Sequence, residues 1–171
     1  MRRLLQSMPL TLVALLALGA WARADKAGDG DKDFLMKAST DGDAEVRFAQ
    51  LAEKQAGSDA VKTFAREMSK EHDAANKQLA DAAKGMKLAI VAGLEKSKRD
   101  EYERLSKLKG AEFDREYMRL AVDMHEKAVK VFEDESKRTD GNDNLRKFAA
   151  DTLPKLRDHL KKAREVANTV K

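Results

Sequence analysis

The stretch Val61–Leu79, VKTFAREMSKEHDAANKQL, decides the fold. Val61, Phe64, Met68, His72, Ala75 and Leu79 recur at three- and four-residue intervals, which lines them along one face of an α-helix. Around them Lys62, Arg66, Lys70 and Lys77 alternate with Glu67, Glu71 and Asp73, giving opposite charges at three- and four-residue spacing on a solvated face. Gly57-Ser58 interrupts the preceding pattern, Ser58 is a suitable N-cap, and Gly85 marks the end.

The same pattern extends outward in both directions. From Asp33, Phe34, Ala38, Glu45, Phe48, Ala49, Ala52 and Ala56 form an alanine-rich stripe with one wider gap across Asp41 and Gly42. Phe113, Tyr117, Ala121, His125, Ala128 and Phe132 make a third stripe, and Leu145, Phe148, Thr152, Leu156, His159, Ala163 and Val166 a fourth. Thr139–Asp143 (TDGND) is a turn by composition, and Pro154 is expected to bend the last helix or reset its start. Between the second and third stripes lies a longer connection in which Ser97–Leu108 forms a short extra helix closed by Gly110. No segment alternates with period two. These features predict an all-α four-helix bundle over residues 33–168, with one long crossover. Four apolar stripes in one chain are better buried against one another than laid on a membrane.

The start of the chain is expected to be removed. Arg2 and Arg3 precede the apolar run Leu10–Ala20, and Ala22-Arg23-Ala24 has the small-x-small form of a signal-peptide cleavage site. Residues 1–24 therefore read as a signal peptide cleaved after Ala24, which directs the chain to the periplasm. Asp25–Lys32 (DKAGDGDK) reads as a flexible linker, since a calcium loop would need other residues than Ala27 and Met36 at its third and twelfth positions. Losing Arg2, Arg3 and Arg23 lowers the net charge from +4 to +1. A near-neutral chain is a poor partner for nucleic acid, and no transmembrane span is expected after the signal is gone. Without cysteine there is no thiolate metal site, iron–sulfur cluster, covalent haem or lipid-anchoring cysteine.

Three histidines fall on the inward stripes of three different helices, and Glu45 takes the same place on the fourth. At about 1.5 Å per residue, Glu45, His72 and His125 each lie roughly 20 Å from the start of their helix, and His159 about 24 Å. Mid-helix positions share a layer whichever way each helix runs. Glu45, His72, His125 and His159 are thus a candidate first shell for a transition metal, because imidazole and carboxylate suit zinc, copper or iron. Met68 and Met124 would add soft donors for copper(I). The competing reading is a purely structural hydrogen-bond network that also draws on Tyr117 and Asn76.

Other chemistries find little support. The di-iron bundles use Glu-x-x-His, but Ser69, Val122 and Leu156 stand three before the histidines. Glu71, Asp123 and Asp158 sit one or two residues from a histidine and are expected on other helix faces. There is no G-x-S-x-G, no HExxH and no phosphate-cradling glycine loop, so an enzymatic role ranks last.

The segments FLMKASTDGDAEVRFAQLA (34–52), VKTFAREMSKEHDAANKQL (61–79), GAEFDREYMRLAVDMHEKAVKVFE (110–133) and LRKFAADTLPKLRDHL (145–160) resemble the domain of unknown function 4142 family. The likeness spans Asp33–Val166 and is most specific at MSKEH, FDREY…H and LP…H. It implies a ferritin-like bundle and an exported bacterial protein, without a defined reaction. Family members are often labelled outer membrane proteins, but this chain shows no barrel alternation, so the periplasm is the better expectation. The sequence therefore leads to two functional expectations: a bundle holding a transition metal or small ligand in the Glu/His layer, or a non-catalytic envelope interaction or stress-related bundle with structural histidines.

Overall fold

A computed structural model describes residues 28–86, 88, 90 and 92–171. The expected signal peptide, and residues 25–27 of the expected linker, lie outside the described residues. Five helices follow in order: α1 Asp29–Gln55, α2 Asp59–Ala82, α3 Lys96–Ser106, α4 Gly110–Lys137 and α5 Asp143–Thr169. No β-strand occurs among the described residues, only an isolated bridge between Ala56 and Gly110. None of the described helices is long and apolar enough to cross a membrane.

The four long helices form a bundle in which α1 packs on α2 and α4, and α5 packs on α4 and α2. Two tight links place the helix ends. The bridge sets the end of α1 beside the start of α4, and Asn142 N–H donates to Asp31 Oδ1 at 3.0 Å, joining the starts of α1 and α5. Hence α1 and α5 run one way and α2 and α4 the other. The connection from Ala83 to Lys109 spans the length of the bundle and carries α3, whose Leu105 is fully buried.

Local chemistry departs from the sequence expectations at four places. First, α1 begins at Asp29, so Asp29–Lys32 form its first turn instead of a linker. Asp31 anchors that turn: its carboxylate accepts from Gly28 N–H (3.0 Å), Asn142 N–H (3.0 Å) and Arg138 Nη2 (3.1 Å). Second, Ser58 occupies the N-cap of α2, yet its side chain caps nothing. The cap comes from across the bundle, where Asp114 accepts from Gly57 N–H at 2.9 Å and Ser58 N–H at 2.8 Å. Third, Gly110 opens α4 with φ +57° instead of closing α3, a left-handed conformation that favours glycine. Fourth, Pro154 does not reset the start of α5, which runs from Asp143 through it to Thr169. It is exposed, as is Ala150 one turn before it, so the carbonyl left without a donor faces water.

Burial divides the core in two. One apolar cluster holds Phe48, Phe64, Met68, Phe113, Tyr117 and Met118 near the α1–α2 turn. The other holds Phe34, Leu35, Leu79, Phe132, Leu145 and Phe148 toward the α4–α5 turn. The polar layer formed by Glu45 and the histidines lies between them.

Candidate metal centre

Each long helix contributes one side chain to this layer because each carries a polar residue where its apolar stripe crosses mid-bundle. Glu45, His72, His125 and His159 are all buried, with relative exposures between 2% and 6%. The ring centroids of the three histidines lie 5.3, 5.3 and 5.5 Å apart. One ring nitrogen from each histidine lies within 4.8 Å of the other two. The mid-helix residues thus converge, as their spacing predicts.

The hydrogen bonds fix which nitrogen of each ring faces inward. His72 Nδ1 donates to Glu45 Oε2 at 2.9 Å. His125 Nδ1 donates to the Ala121 carbonyl one turn back, at 2.8 Å. His159 Nε2 donates to Glu71 Oε2 at 3.0 Å. With these protons committed outward, the remaining nitrogens are His72 Nε2, His125 Nε2 and His159 Nδ1. The first two face each other at 3.3 Å. The third is buried and has no hydrogen-bond partner, and the same is true of Glu45 Oε1, which lies 3.8 Å from His125 Nδ1. Such orphaned buried atoms are costly unless something else satisfies them.

Protonation in the protein alone follows from burial and charge. Burial alone would raise the Glu45 carboxyl, but His72 beside it, with help from the other two rings, brings it down to about 2. Burial pushes His72 down, but the Glu45 charge and hydrogen bond outweigh it, so its pKa is raised. Burial and the His72 charge lower His125 despite Glu45, and the same two effects carry His159 down to about 4. The metal-free layer therefore holds Glu45 as a buried carboxylate and His159 as a neutral ring, while His72 keeps its proton more tightly and His125 less tightly than a free imidazole. When His72 is protonated, its Nε2–H donates to His125 Nε2.

Glu71 is the participant that sequence reasoning missed. It was expected on another face than His72, but that face looks toward α5, where its carboxylate meets His159 and, at 3.5 Å, Lys155 Nζ. Asn76 and Tyr117 stand outside the network, since the partners of the rings are Glu45, Glu71, the Ala121 carbonyl and one another. Met68 and Met124 pack in the apolar cluster on one side of the layer. A cavity of about 30 Å³ abuts the layer on its other side, lined by Glu45, His72, His159, Thr152 and Phe132 among others. That space holds roughly one water.

An all-helical bundle with a buried three-histidine cluster is the class these observations define. Residues 17–166 match the sequence pattern of the family described as domain of unknown function (DUF4142), and the chain belongs to that family. No match was found among curated proteins or among solved structures.

Proposed function

We propose that this protein binds one transition-metal ion through His72 Nε2, His125 Nε2 and His159 Nδ1. The observation that carries the reading is that each ring commits one N–H outward and turns its other nitrogen into the layer. Metal-ligating histidines characteristically donate their second N–H to a carboxylate or backbone carbonyl, which fixes the tautomer and raises ligand basicity. Glu45, the Ala121 carbonyl and Glu71 occupy those three positions here. Two nitrogens each bound at about 2.0–2.1 Å to one tetrahedral ion lie about 3.4 Å apart. The His72–His125 separation of 3.3 Å matches that edge, and one nitrogen of His159 lies within 4.8 Å of both.

The donor set suits zinc, copper or iron, and the adjoining cavity leaves a fourth position for water or for the unpartnered Glu45 Oε1. Glu45 thereby serves chiefly to orient His72 and to balance charge. We place the chain in the periplasm, on the strength of the signal-like pattern of residues 1–24, and assign it a ferritin-like four-helix topology from its two antiparallel hairpins joined by a long crossover. The second reading, a structural network without metal, draws on the Glu45–His72–His125 chain of hydrogen bonds, with a water in the adjoining cavity as the partner His159 Nδ1 then needs.

Elemental analysis of untagged protein, followed by melting with and without added zinc or copper, decides between them. One ion per chain and a rise in Tm of several degrees are expected. Sub-stoichiometric metal and an unchanged Tm with either ion would leave only the structural network.

A further inference from the structure

The four inward groups of the centre are sealed, but Glu71 is not. Its side chain is 30% exposed while that of His159, to which it is bonded, is 3% exposed. On its outer side Glu71 lines an open groove of about 570 Å³ between α2 and α5, together with Ala74, Asp81, Asp151, Thr152 and Lys155. On its inner side it lines the small cavity beside the histidines, as do Thr152 and Lys155. The same carboxylate therefore faces both solvent and the buried layer. Lys155 lies across it, 3.5 Å from Oε2, and its side chain is itself 56% exposed.

We propose that the groove between α2 and α5 is the route by which a divalent metal cation reaches the histidines, with Glu71 as its transient first ligand and Lys155 as the group it displaces. The inference rests on the metal reading above. The three carboxylates of the groove wall, Glu71, Asp81 and Asp151, each hold a lysine ammonium group, from Lys155, Lys84 and Lys147, that an ion can replace. At Glu71 the ion lies one imidazole away from the centre. Rotation of His159 off its 3.0 Å hydrogen bond frees a nitrogen to take the ion inward.

Stopped-flow mixing of metal-free protein with cobalt(II), read by the absorption of the bound ion, tests the route. Lys155→Ala is expected to raise the association rate constant at least about threefold, by removing a repelling charge roughly 4 Å from the path. Ala74→Trp, at an exposed groove position, is expected to lower it by a similar factor while leaving the final spectrum and Tm as in the wild type. Association within experimental error of the wild type in Ala74→Trp overturns the groove route even if the spectrum shows an intact centre. Absence of cobalt binding in the wild type itself would overturn both the route and the metal reading.

Discussion

Acidification of the metal-free protein provides a quantitative test of the layer's protonation. His159 is neutral in the fold, with its pKa brought from an ordinary 6.5 to about 4 by burial and by the charge on His72. A histidine with a depressed pKa binds its proton more readily in the unfolded chain, so its contribution to stability is complete above about pH 6.5 and is lost as pH falls toward 4. A displacement of about 2.5 units corresponds to about 3 kcal/mol. His125 is shifted in the same direction and adds to the loss. His72 has the opposite sign: its raised pKa stabilises the fold fully below 6.5, and that share fades as pH rises through its folded pKa. Glu45 enters only at the acid end, because its depressed pKa gives stability that is present above the ordinary 4.5 and is lost as pH falls through about 2. Stability should therefore peak in the weakly acidic to neutral range and drop on both sides. For a domain of this size about 3 kcal/mol corresponds to a fall in Tm of roughly 10 °C between pH 6.5 and 4. Circular dichroism melts in EDTA across that range measure it, with His159→Gln losing about one proton's worth of the slope. A Tm that stays flat or rises on acidification would show that the rings are not buried neutral groups, and the protonation scheme would be wrong.

Substitutions at three places address separate parts of the structure. Asp114→Ala removes the acceptor of two backbone N–H groups at the start of α2 and should cost about 1–2 kcal/mol in urea unfolding, with metal binding unchanged; an undiminished midpoint would deny Asp114 its capping role. Arg138→Ala leaves the buried carboxylates of Asp31 and Glu135 without their shared cation and should cost about 3 kcal/mol, and Glu135→Met in that background should recover part of it. No recovery would mean that Arg138 acts through packing alone. Glu45→Gln keeps the shape of the layer but removes the charge behind His72, so metal affinity in competition titrations should fall about 10- to 100-fold. Equal affinity would show that Glu45 plays no part in tuning the ligands.

The fold and the candidate centre were legible in the sequence to different depths. Periodicity gave the four long helices because a 3.6-residue repeat marks the buried face of each helix without reference to its neighbours. The convergence of Glu45, His72, His125 and His159 followed from their position near mid-helix, which is insensitive to helix direction. Contacts that depend on which helix stands next to which were not legible. Glu71 is off the apolar stripe of α2 and meets His159 only because α5 lies on that side. Asp31, within an apparently flexible polar stretch, becomes a buried anchor only once the start of α5 is beside it. Asp114 caps a helix more than fifty residues away, and nothing local to either segment reports it. The tautomers likewise depend on partners from other helices, so the three inward nitrogens emerge only from the assembled layer.

X-ray absorption spectroscopy at the metal edge of zinc-loaded protein interrogates the proposed centre itself. The account predicts about three imidazole nitrogens at about 2.0–2.1 Å, completed by one oxygen, with the imidazole signal reduced in His159→Gln. A first shell made up only of oxygens, or one unchanged by that substitution, would place the ion among surface carboxylates and contradict the three-histidine site.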